Sequence, residues 1–179
     1  MILVLKFIIG IIFFSSATLA VEHQQLKLAV PFTDSIILQR ECEVPVWGFD
    51  VHGNKVTVEF GGQIKTAVAD KWGRWMVKLD PLKASLNERS MEVSNDKGKS
   101  ISLEGILVGE VWFSSGQSNM VWTAGKSMCN ELAREITSSK EELPIREINI
   151  NTVSALYPQK KGTSDGGWKK SSLASGFSA

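Results

Sequence analysis

The stretch Lys55-Val-Thr-Val-Glu-Phe-Gly-Gly-Gln-Ile-Lys-Thr-Ala-Val-Ala69 decides the fold class of most of the chain. In an extended backbone Val56, Val58 and Phe60 point one way and Lys55, Thr57 and Glu59 the other, giving one packed and one wet face. Gly61-Gly62 supplies the positive φ of a tight hairpin, and Ile64 to Ala69 reads as the returning strand.

The same grammar extends outward from this hairpin. Downstream, Trp75, Val77 and Leu79 alternate with Arg74, Met76 and Lys78, so Arg74 to Leu79 is a predicted strand, followed by Ser90 to Ser94 and Ser100 to Leu103. Upstream, Leu26 to Val30, Ser35 to Gln39 and Val44 to Gly48 read likewise. Gly53-Asn54, Asp70-Lys-Trp-Gly73 and Asn95-Asp-Lys-Gly98 are the turns between strands. Several short strands at this spacing predict a β-sandwich domain over residues 21–107. Trp47, Trp72 and Trp75 are either a stacking platform for sugar rings or core and turn packing, and packing is the expectation.

Residues 1–20 have the form of a secretory signal: Lys6, an apolar run from Phe7 to Phe14, and small residues at Thr18-Leu-Ala20. The apolar run is well short of the roughly 20 residues that span a bilayer, so a secreted or periplasmic product without a membrane anchor is expected. The 179 residues carry 20 basic and 19 acidic side chains. Without Lys6 the balance is even, which leaves no electrostatic case for nucleic acid or an anionic membrane. Cys42 and Cys129 lack metal or redox spacing and are expected to be separate buried thiols.

Beyond Leu107 the pattern changes to alternating strand and helix. Ile106, Leu107, Val108, Val111, Trp112 and Phe113 read as a strand buried on both faces. Gly116 then turns the chain and delivers Ser118 to the mouth of a strand-to-helix turn, where unpaired backbone N–H groups can hold an oxyanion. Met128, Leu132 and Ile136 predict an amphipathic helix from Ser127 to about Lys140, and Ile145 to Asn151 the next strand, parallel to the first. The 72 residues from 108 to 179 suffice for one such βαβ unit and not for a complete layered domain, so the second domain is expected to be truncated.

A serine nucleophile needs a base, and the two histidines, His23 and His52, stand near no motif. Gly116-Gln-Ser118-Asn-Met120 lacks the second glycine of the Gly-x-Ser-x-Gly elbow. Gly125-Lys-Ser127 lacks the first glycine of a P-loop, and Ser94-Asn-Asp-Lys97 lies on a hairpin turn where the Ser-x-x-Lys motif requires a helix.

Ser115-Gly-Gln-Ser-Asn-Met120, with Gly109-Glu-Val-Trp112 before it, resembles the first signature block of the sialate O-acetylesterase family, within the SGNH (GDSL-like) hydrolases. Ile36-Ile-Leu-Gln39, Val46-Trp-Gly48 and Asp70-Lys-Trp-Gly-Arg-Trp75 resemble its β-rich N-terminal domain. The resemblance implies that this domain leads into a flavodoxin-like three-layer α/β hydrolase domain. It also implies that Ser118 is the nucleophile and an oxyanion donor, with Gly116 and Gln117 on the positioning turn and Asn119 after it. The substrate would be O-acetylated sialic acid or a related acetylated sugar, with neither metal nor organic cofactor. The family's later oxyanion glycine and asparagine and its Asp-x-x-His block have no match here and would lie beyond Ala179, so the chain alone is expected to be inactive. Ser114 stands where many members carry a cysteine, so no disulfide carries over. The residues also admit a non-catalytic carbohydrate-binding β-module or an acetyl-xylan type esterase.

Overall fold

The computed structural model describes residues 25–116, 131, 144–151, 153–157 and 162–170. Strands dominate them: β1 (Lys27–Leu28), β2 (Ile37–Gln39), β3 (Val44–Phe49), β4 (Lys55–Phe60), β5 (Gln63–Val68), β6 (Arg74–Leu79), β7 (Ser85–Asn95), β8 (Ser100–Gly109), β9 (Arg146–Glu147) and β10 (Lys169–Lys170). β1, β3 and β6 form one sheet, and a second runs in the order β2-β8-β7-β4-β5. Val56, Val58 and Phe60 of β4, Trp75, Val77 and Leu79 of β6 and Met91 and Val93 of β7 are buried, so the inward residues of both sheets share one apolar core. In the hairpin of residues 55–68, β4 and β5 are antiparallel with Phe60 opposite Gln63.

Two side-chain networks hold the turns. The buried Asp50 carboxylate accepts from the Val51 amide at 2.7 Å, Asn54 Nδ2 at 3.1 Å and Asn95 Nδ2 at 2.8 Å, which ties two turns together. Asp70 takes the Arg74 guanidinium in two bonds of 2.8 and 2.9 Å and the backbone amides of Trp72 and Arg74 at 2.9 Å each. These contacts, the Arg74 side chain first, lower the Asp70 carboxyl from 3.8 to about 2. A group whose folded value is depressed contributes stability above its unfolded value and loses it as pH falls through the folded one. Asp70→Asn is therefore expected to reduce the urea midpoint at neutral pH and to match the parent at pH about 2. A gap that persists undiminished in acid would contradict this account.

β5 is an edge strand with its polarity reversed. Ile64 and Val68 are exposed, whereas the Gln63 amide bonds both the N–H and the carbonyl of Asp80, and Lys65 Nζ lies 2.7 Å from the Asp80 carboxylate. Such polar side chains at an edge oppose the addition of another strand.

Several expectations need correction. β8 is continuous from Ser100 through Gly109, although the sequence suggests a break near Gly105. Gly105 has φ +69°, and the β7–β8 register shifts beside it, so the glycine serves an irregularity within one strand. The predicted buried strand through Phe113 stops at Gly109. β2 ends opposite Gly109 and β7 begins opposite Val108, so Val111, Trp112 and Phe113 have no flanking strand and are exposed. Of the strand Ile145 to Asn151, Arg146–Glu147 pairs antiparallel with β10 and Ile150 makes an isolated antiparallel bridge to Ser164, instead of a continuous strand parallel with β8. Cys42 is exposed and free, because it follows Glu41, at φ +58°, in the bend between β2 and β3. The signal segment and, apart from the helical Glu131, the helix 127–140 lie outside the described residues.

The later segments are tied back by two anchors, to the five-stranded sheet and to the loop between β1 and β2. Arg146, with 3% of its side chain exposed, donates Nη1–H to the carbonyls of Ser35 and Gly105, and Nη2–H to Glu88 at 2.7 Å. Trp168 packs against the core and donates its indole N–H to the Pro31 carbonyl at 2.8 Å.

Candidate active site

The segment that leads to Ser118 begins where β8 leaves the sheet. β2 and β8 are parallel, with Gln39 opposite Gly109, and the Arg40 amide donates to the Gly109 carbonyl at 2.9 Å. Gln39 Nε2 donates to Glu110 at 3.0 Å, Arg40 Nε donates to Glu110 at 2.6 Å, and the Val111 amide donates to Gln39 Oε1 at 2.8 Å. The Gln39 amide, and next the Arg40 guanidinium, hold the Glu110 carboxyl below the ordinary carboxylate range, so it is ionised and held at neutral pH.

Past this point Trp112 and Phe113 are 86% and 88% exposed, and Ser114, Ser115 and Gly116 continue along the surface. Gln117, Ser118 and Asn119 lie outside the described residues. His52 is exposed on the turn between β3 and β4, as its place beside Gly53 suggests, and His23 is outside the described residues. No group of His, Cys, Asp and Glu among the described residues has the arrangement of a metal site.

The three tryptophans do not make one platform. Trp75 is a core residue packed over Gly48, where an added Cβ would lie 2.7 Å from its ring. Trp47, opposite Met76 on the other face of that sheet, meets Phe32 edge-to-face with centroids 4.7 Å apart. Trp72 is exposed, and its ring carries Lys71 and Arg74 at 4.2 and 4.5 Å. A shallow depression of about 440 Å³ is lined by Trp47, Asp70, Arg74, Trp75 and Met76, and its two charged groups are already paired with each other.

No family model matches the chain. It is similar to the sialate O-acetylesterase of Homo sapiens, 28% identical over 141 residues that make 72% of this chain and 26% of that protein. The sialate O-acetylesterase of Rattus norvegicus is 30% identical over 134 residues, 60% of this chain and 24% of that protein. Among solved structures, a carbohydrate acetylesterase from Xanthomonas citri superposes with a TM-score of 0.72 at 27% identity, covering 85% of this chain and 34% of that one. The chain thus spans about a quarter of the length of the curated relatives it matches.

Sequence reasoning missed the grip of Gln39 and Arg40 on Glu110 and Val111. The block Ile36-Ile-Leu-Gln39 was legible as a strand, but nothing in it showed that its last side chain would face a residue 71 positions on.

Proposed function

We infer, from its membership of the sialate O-acetylesterase family, that the chain serves the hydrolysis of O-acetyl esters on sugars, with Ser118 as the nucleophile. The observation that carries this is the similarity over 85% of the chain to a carbohydrate acetylesterase, together with the Ser115-Gly-Gln-Ser-Asn-Met120 block. The β-rich part is read as a sandwich that precedes a layered SGNH hydrolase domain, and the product as exported by the signal at its start.

In this mechanism the Ser118 hydroxyl attacks the acetyl carbonyl as a base takes its proton. The oxyanion is held by the Ser118 backbone N–H, in a turn shaped by Gly116 and Gln117 and followed by Asn119. Collapse of the adduct expels the sugar alkoxide, which takes the proton back from the base, and leaves acetyl-Ser118. A water then attacks the acetyl carbonyl, releasing acetate and restoring the serine. We assign the base to a histidine in the region by which the relatives are longer, and the 179 residues alone to an inactive state.

The test is acetate release. Fused to the part of the human relative that follows its matched region, the chain is expected to deacetylate O-acetylated N-acetylneuraminic acid faster than acetylated xylan, while the unfused chain releases none. A folded fusion inert toward both would overturn the esterase reading and favour a binding module. Preference for xylan would move the substrate to plant polysaccharide.

A further inference from the structure

In a parallel ladder the strand that has just donated an N–H accepts the next one from its neighbour two residues on. The Arg40 amide donates to the Gly109 carbonyl, so the next rung would be the Val111 amide on the Arg40 carbonyl. That rung is replaced. The Val111 amide goes to the side-chain carbonyl of Gln39 at 2.8 Å, and Gln39 Nε2 faces the Arg40 carbonyl at 3.4 Å and Glu110 at 3.0 Å. A side-chain amide is thus inserted as a spacer between two strands, and the chain splays away from the sheet at that residue. Arg40 completes the fixture by its 2.6 Å ion pair with Glu110.

We propose that Gln39 and Arg40 are positioning residues: by gripping Glu110 and Val111 they set the direction in which the serine-bearing segment leaves the sheet. The proposal rests on the reading of Ser118 as nucleophile, seven residues beyond Val111. Three features support it. The grip consists of side chains, so it can be removed without deleting a backbone rung of β2 and β8. It engages two consecutive residues of the departing segment, which fixes direction as well as place. Beyond it Trp112 and Phe113 are exposed, so no packing of their own substitutes for it.

The test has two arms. In the isolated chain, Gln39→Leu is expected to speed hydrogen exchange of the Val111 amide about tenfold, the worth of a typical hydrogen bond, and to shift the amide resonances of residues 112–116. Gln39→Glu keeps an acceptor for the Val111 amide but turns an oxygen instead of a donor toward the Glu110 carboxylate, so it should recover only part of that protection. Resonances of β4 and β6 stay in place in both variants. In the active fusion, Gln39→Leu is expected to lower kcat by a similar factor with KM unchanged.

Unaltered Val111 exchange in a folded Gln39→Leu chain would overturn the proposal, as would faster exchange with unchanged kcat. If Gln39→Leu does not fold, Arg40→Gln, on a side chain 39% exposed and bonded to Glu110, takes its place, and unchanged amide resonances of residues 112–116 or unchanged kcat would then overturn the proposal. Hydrolysis that survives loss of the Ser118 hydroxyl would defeat the nucleophile reading alone, and the Val111 arm would still decide whether the grip exists.

Discussion

Ser118→Ala is expected to lower kcat for acetate release by the active fusion by about a thousandfold or more, with little change in KM. The size follows from the division of labour in acyl transfer. Without its hydroxyl the site retains the oxyanion donors and the substrate contacts, which give the residual rate. It loses the covalent route, which splits one difficult displacement into two easier ones. Ser114→Ala, on an exposed neighbour assigned no role, should leave the rate unchanged and so controls for disturbance of the segment. A rapid quench followed by digestion should recover an acetyl group on the peptide that contains Ser118. Activity within about tenfold of the parent, a loss of only about 1.4 kcal/mol, would assign the chemistry elsewhere.

Arg146→Ala is expected to destabilise the chain by about 2–4 kcal/mol, read as a shift in urea midpoint at constant slope. The guanidinium is nearly sealed from water and donates to two backbone carbonyls and one carboxylate. Glu88 is 52% exposed, so its pairing with Arg146 is screened and adds little. Most of the loss comes from the carbonyls of Ser35 and Gly105, left without their donor against the sheet. Both belong to residues with positive φ, 65° and 69°, a backbone shape that presents the two oxygens to one fork. Arg146→Lys keeps the charge but not the planar fork and should recover less than half of the loss. Full recovery by lysine would show that charge alone holds the contact.

How much of this was legible in the sequence depends on the range of each interaction. β4 and β6 were read with their observed bounds, because the period-2 pattern and the glycine turns that create them are local. β7 and β8 came out longer than expected. Gly105 breaks the apolar pattern without breaking the strand, and alternation cannot separate a bulge from an end. The apolar run through Phe113 misled for the opposite reason: burial requires neighbours, and whether β2 and β7 extend that far is not written in the run itself. The pairing of β2 with β8, the Arg146 contact and the grip on Glu110 each join residues dozens of positions apart, and a single sequence carries no signal for them. For the candidate site, the serine block was legible as a pattern, whereas what orients it was not.

The Trp168 anchor has a consequence for biogenesis. Its indole meets the Pro31 carbonyl across 137 residues of chain. Every strand of both main sheets has been synthesised before this ring emerges. A nascent chain stopped short of Trp168 therefore has the Pro31 carbonyl without its donor and the core without the ring that packs against it, and exposed apolar surface of that kind is where chaperones act and aggregation starts.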